Sequence, residues 1–207
     1  MQRAGSNKAQ LMGKRFVDES SHLLDGYHLG TKVYASGFRP SFIVGLWRGG
    51  STVGMVVQEC LATLGVETDH IALRTSYEGR REYETTAKLK RKIRVHGKQY
   101  LLETMNRDDR LLIVDDVYSS GRHTQAVVDS LRQGLKRNMP QDVRIASIWV
   151  RQSEQDQEQD ADASVPDYFL HTTDDWVVLP FEVQGLNRDE IAQHKPYLLD
   201  LLPGQAS

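Results

Sequence analysis

The chain has 207 residues, 39% hydrophobic and 26% charged, with 26 Lys and Arg against 28 Asp and Glu for a formal net charge of −2. This excludes a disordered chain, a collagen-like repeat and a disulfide scaffold, because the single cysteine, Cys60, has no partner within the chain. The near-neutral charge gives no global pull toward nucleic acid or membrane, so any anion site has to be built locally.

The length favours one domain spanning 1–207, with a core near 16–185, a tail at 1–15 and a helical extension at 186–207. The first fifteen residues, MQRAGSNKAQLMGKR, lack the apolar core of a signal peptide, and no run approaches the ~18 apolar residues of a membrane span. The expectation is a cytoplasmic protein.

Asp18, Ser20 and Ser21 offer caps for a helix that carries Leu23, Leu24, Tyr27, Val33 and Tyr34 and stops at Gly37. Phe42–Leu46 reads as a strand and Trp47-Arg48-Gly49-Gly50 as a turn. A helix follows, capped by Ser51 or Thr52, with Val53, Val56, Val57, Cys60, Leu61 and Leu64 on its apolar face and Gly65 as its stop. Cys60 fits there as a small buried hydrophobe.

His70–Arg74 predicts a second strand, Leu111–Val114 a third and Val143–Val150 a fourth, with a helix from about Thr124 to Lys136 after the third. Continuous apolar strands alternating with helices predict a parallel sheet covered on both faces. Three segments break the rhythm. Residues 76–110 contain the basic run Lys88–Arg94, which suits either a polyanion or RNA contact or a solvated helix face, and then a short helix over 98–105. Residues 152–164 are acidic and read as a surface loop. The end of the chain holds an aromatic-rich strand region and a helix around Asn187–Leu202, broken at Lys195-Pro196.

The chemistry concentrates in LLIVDDVYSSGRHT, residues 111–124. A buried strand delivers Asp115 and Asp116 to the sheet edge where open α/β proteins place their ligands. The turn Ser119-Ser120-Gly121 then leads into a helix whose N-terminal amides can cradle phosphate, assisted by Arg122 and by the hydroxyls of Ser119, Ser120 and Thr124. Carboxylates above and phosphate below suit a sugar phosphate whose hydroxyls or bound Mg²⁺ meet the acids. Taken alone, the segment also suits an acidic pair capping an ordinary strand–helix turn.

The segment resembles the phosphoribosyl pyrophosphate (PRPP) motif of type I phosphoribosyltransferases. FIVGLWRGGSTVG (42–54) is similar to the family's pyrophosphate loop, and Arg-Thr-Ser-Tyr-Glu (74–78) to the start of its flexible closing loop. Val165-Pro166-Asp167-Tyr168 followed by DDWVVLPFE (174–182) resembles the base-binding end of xanthine-guanine and hypoxanthine phosphoribosyltransferases.

The resemblance implies a Rossmann-like α/β fold, a parallel sheet flanked by helices, with a small base-binding hood and a flexible loop. It assigns catalysis to Asp115, Asp116 and Arg48, and a strained or cis peptide to Trp47–Arg48. PRPP binding falls to Trp47, Gly49, Gly50, Tyr118, Ser119, Ser120, Gly121, Arg122, His123 and Thr124, and the closing loop to Ser76 and Tyr77. Base binding falls to Arg151, Trp176 and Val177, and Mg²⁺ to Asp115, Asp116 and Glu182. Without the resemblance, Trp176 would read as core and Tyr77 as an exposed loop aromatic.

The implied reaction is purine salvage, in which PRPP and hypoxanthine or guanine give a nucleoside monophosphate and pyrophosphate. A homodimer or homotetramer is implied as well; nucleic acid and membrane are not expected partners. One position departs. Enzymes acting on 6-oxopurines carry an Asp where this chain has Ser119, and a hydroxyl is no base near pH 7. The alternative is therefore a weakly active or inactive regulatory protein of the same fold that senses PRPP or nucleotide, with RNA at Lys88–Arg94 as a candidate partner.

Overall fold

The computed structural model describes residues 13–77, 93–151 and 165–202. Residue contacts cluster into two units: one gathers the N-terminal segment up to His22 with the chain from Asp175 onward, the other spans Leu23–Asp174.

The larger unit is a six-stranded sheet. Its strands are β2 (Phe42–Trp47), β3 (Asp69–Tyr77), β4 (Ile93–His96), β5 (Arg110–Tyr118), β6 (Asp142–Arg151) and β7 (Tyr168–Thr173), in the order β4-β3-β2-β5-β6-β7. All neighbours are parallel except β3 and β4, so the expected parallel sheet carries an antiparallel edge. That edge corrects one expectation. Ile93 and Arg94, the end of the basic run, are in β4 and not on a helix face; Lys88 to Lys92 and the acidic insert lie outside the described residues.

The central strands alternate between two covered faces, as the pleat requires. Phe42, Val44, Leu46, Leu111 and Ile113 pack with Leu101 of α3 (Gln99–Thr104) and with Val127, Val128, Leu131 and Leu135 of α4 (Arg122–Leu135). On the opposite face, α2 (Gly49–Thr63) comes so near that a Cβ on Gly45 would stand 2.7 Å from the Ser51 Cα.

Helix α1 (Glu19–Ala35) is capped by Asp18, whose carboxylate accepts from the Ser21 N–H at 2.9 Å. Of the expected apolar face Val33 is buried, but the leucines are not. Leu23 and Leu24 are 51% and 55% exposed, whereas Gly26, Leu29, Gly30 and Val33 are buried. A Cβ on Gly26 or Gly30 would approach Val56 or Cys60 of α2 to 2.7 Å, so the two glycines let the helices touch. Gly30→Val should therefore destabilise the protein by about 1–3 kcal/mol through overpacking. Urea unfolding would check this; an unchanged midpoint would contradict the contact.

Several element boundaries move, among them that of β3, which runs past the expected Arg74 through Ser76 and Tyr77. Helix α2 begins at Gly49, two residues before Ser51, with no side-chain cap, and α4 begins at Arg122 rather than Thr124. Strand β5 continues through Asp115 and Asp116 to Tyr118. Cys60 is buried as expected, and Gly37 and Gly65 end their helices at positive φ.

The smaller unit pairs β1 (Lys14–Phe16) with β8 (Trp176–Val178) in parallel, so Lys14 and Arg15 belong to a strand and not to the loose tail expected there. Helix α5 (Arg188–His194) is closed by a capping box between Asn187 and Glu190, and a 3₁₀ turn (Pro196–Leu198) follows the expected break.

Candidate functional site

Strands β2 and β5 are parallel neighbours, with Gly45 opposite Val114. Equal register sends both chains to the same sheet edge, so the turn after β2 meets the acidic pair near the end of β5. The contact is close. A Cβ on Gly49 would stand 2.1 Å from Asp116 Oδ2, and one on Gly50 would stand 2.4 Å from the Val114 carbonyl oxygen and 2.9 Å from the Asp115 Cα. Only glycine admits this approach. The Trp47–Arg48 peptide is cis, Trp47 and Arg48 are exposed, and Arg48 is the residue before α2.

Asp115 and Asp116 are half-buried, and Asp115 accepts from the Asp116 N–H at 3.0 Å. Burial first, and the Asp116 charge second, push the Asp115 carboxyl well above the usual carboxylate range. A hard divalent cation fits this donor set, since both side chains offer only oxygen and a cation would relieve the repulsion.

Beyond β5, Ser119 and Ser120 are half-buried and Gly121 takes a left-handed φ of 71° just before α4. No side chain caps α4, and the start of a helix is where backbone amides favour an anion. Tyr118 is buried beneath the turn, its phenol where a Cβ on Gly121 would be. Thr124 is 1% exposed, and its hydroxyl has no hydrogen-bond partner.

His123 Nδ1 lies 2.8 Å from Thr75 Oγ1, and burial and then Arg122 push its pKa down, favouring the neutral ring. This link ties the loop to β3 beside Ser76 and Tyr77, whose backbones pair with Arg94 and Ile93. The pairing of Thr75 with His123 depends on sheet order and has no local sequence signal. Arg151 is the buried last residue of β6.

The remaining candidates belong to the smaller unit. Trp176 is 46% exposed and Val177 is buried. In the β1–β8 ladder, the Trp176 N–H donates to the Gly13 carbonyl and the Val17 N–H to the Val178 carbonyl. Alternation then turns the Val177 N–H and C=O away from β1. Glu182 accepts from the Leu179 N–H at 3.2 Å within its own turn. Among the described residues no group of three or more His, Cys, Asp or Glu side chains could hold a metal ion.

Residues 14–184 match the family model for the phosphoribosyl transferase domain. A purine phosphoribosyltransferase from Pyrococcus horikoshii Ot3 is similar at 20% identity and TM-score 0.61, over 86% of this chain and 99% of its own. A hypothetical protein from Neisseria gonorrhoeae, solved with bound ppGpp, is similar at 14% identity and TM-score 0.65, over 90% of this chain and 98% of its own. The Helicobacter pylori xanthine-guanine-hypoxanthine phosphoribosyltransferase is similar at 16% identity and TM-score 0.58, over 82% and 94%. No curated protein matches.

Proposed function

Because the chain belongs to the phosphoribosyl transferase domain family, we propose that it transfers the 5-phosphoribosyl group from PRPP to a purine, hypoxanthine or guanine, in purine salvage. The observation that supports this reading is the close approach of Gly49 and Gly50 to Asp116 and Asp115, as expected if the first two met the leaving group and the last two the ribose.

The purine N9 forms a bond to C1 of the ribose as the C1–oxygen bond to pyrophosphate breaks, and the ring proton that the base sheds passes to water, since Ser119 offers no carboxylate to take it. Positive charge grows on the sugar, and Asp115 and Asp116 stabilise it while holding the ribose hydroxyls. Arg48 and the amides of Gly49 and Gly50, beside Trp47, meet the departing pyrophosphate. The 5′-phosphate is held by the turn from Ser119 to Gly121 and the start of α4 at Arg122, with Tyr118, His123 and Thr124 shaping it. Mg²⁺ on Asp115 and Asp116 would neutralise pyrophosphate charge; Glu182, the further carboxylate expected there, forms no three-carboxylate group with them among the described residues.

On the base side, Trp176 offers an aromatic face, and Val177 offers a backbone donor and acceptor directed away from β1. Arg151 is the donor proposed for the purine oxygen. Ser76 and Tyr77 lead into the proposed closing loop. Among the described residues no helix is long and apolar enough to cross a membrane; a cytoplasmic homodimer or homotetramer is the proposed setting.

A second reading, a nucleotide sensor with weak or absent catalysis, is favoured by Ser119 and by the neighbour solved with ppGpp. The purified protein given PRPP, Mg²⁺ and each purine separates the two. Monophosphate and pyrophosphate appear in the first case; nucleotide binding at micromolar strength without turnover overturns it in favour of the second. Ser119→Asp should raise 6-oxopurine turnover about tenfold or more by restoring a proton acceptor. An unchanged or lower rate would mean that the missing carboxylate is not the limitation.

A further inference from the structure

The region matching the family model ends at residue 184, yet the chain continues through α5 and the 3₁₀ turn, and this extension contains Lys195, a charged residue only 3% exposed. Lysine is almost never buried unless its ammonium is paired. Lys195 Nζ donates to the Leu179 carbonyl at 2.9 Å and to the Pro180 carbonyl at 2.5 Å. Leu179 directly follows β8, and its carbonyl also accepts from the Glu182 N–H at 3.0 Å. The ammonium thus joins two carbonyls of the turn leaving the strand that carries Trp176 and Val177.

The two-stranded sheet needs such help. Strands β1 and β8 have three residues each, and an isolated pair of that size is marginal in water. The extension covers both. Leu186 and Ile191 form a core with Val178, against which Phe16, Leu198 and Leu199 pack. The His194 ring stacks on Phe16 with centroids 3.7 Å apart, and Glu190 pairs with Lys14 at 2.7 Å.

We propose that the extension braces the base-recognition strand and that Lys195 is its positioning residue, fixing the turn after β8 so that Trp176 and Val177 meet the purine in one geometry. This rests on the base-side reading of those two residues. The brace acts on base recognition and leaves the PRPP loops of the larger unit alone.

Two measurements on the full chain test it. Lys195→Met removes the donors and keeps the stem. KM for the purine should rise about tenfold or more, while KM for PRPP and kcat stay within about threefold. Lys195→Gln, which keeps a donor, should recover part of the loss and decides the matter if the Met variant does not fold. Hydrogen exchange, read without any turnover, should quicken in a peptide covering 174–182 and stay unchanged in one covering 110–118. Unaltered exchange in 174–182 overturns the brace, as does a matched rise in both KM values. Absence of turnover by the wild type would instead overturn the enzyme reading and leave the exchange result to judge the brace.

Discussion

Replacing Asp115 or Asp116 by asparagine should lower kcat/KM for PRPP by about 10²–10³-fold, the usual cost of losing one preorganised electrostatic partner of a transition state. Stability should move the other way at position 115. A carboxyl whose folded-state pKa is raised holds its proton more tightly when folded than when unfolded. Its contribution to stability therefore grows as pH falls through the folded value and is lost above it. At pH 7 the folded chain carries the strain of the acidic pair, and Asp115→Asn removes it. The unfolding midpoint of that variant should equal or exceed that of wild type while activity collapses. Urea titrations beside steady-state kinetics check both halves; a variant that keeps its activity removes the acidic pair from the site.

The two glycines of the turn should fail in different ways. At Gly50 an added methyl meets backbone, the Val114 carbonyl oxygen at 2.4 Å and the Asp115 Cα at 2.9 Å, and neither can rotate aside. Gly50→Ala should cost about 1–3 kcal/mol of stability and at least about 10²-fold in kcat/KM, because the turn and the acidic pair are pushed apart. At Gly49 the added methyl meets the Asp116 carboxylate, a side chain that can swing away. Gly49→Ala should keep most of the stability and lose a comparable share of activity. Melting curves and kinetics on both variants check the contrast. Equal activity in Gly49→Ala and wild type would mean that the Asp116 carboxylate needs no fixed position.

Much of this was legible in the chain itself. The runs at 42–46 and 111–114 are apolar or glycine throughout, that at 143–150 is broken only by Arg144 and Ser147, and all three lie in interior strands of the sheet. Gly37, Gly65 and Asn187 carried their stop and start signals locally. The misreadings have a common cause, which is that long-range packing decides what local pattern cannot. Leu23 and Leu24 looked like a core face, but the helix approaches α2 through Gly26 and Gly30, and glycine contributes nothing to an apolar periodicity. Lys14 and Arg15 looked like tail, since their strand pairs with residues 176 and 177, far away in sequence.

The same division holds for the candidate site. Residue types and spacing marked the acidic pair and the turn after it, and the family resemblance marked the turn at Trp47–Gly50. Their meeting depends on β2 and β5 being neighbours, which no local window contains. The Thr75–His123 and Lys195–Leu179 contacts are of that kind too.

A crystal grown with PRPP and Mg²⁺, without a base, would measure the proposed placement outright. The 5′-phosphate should rest on the amides at 119–122, the ribose hydroxyls against Asp115 and Asp116, and the pyrophosphate along Arg48, Gly49 and Gly50. Density for PRPP anywhere else, or its phosphates reversed between the two loops, would contradict that arrangement.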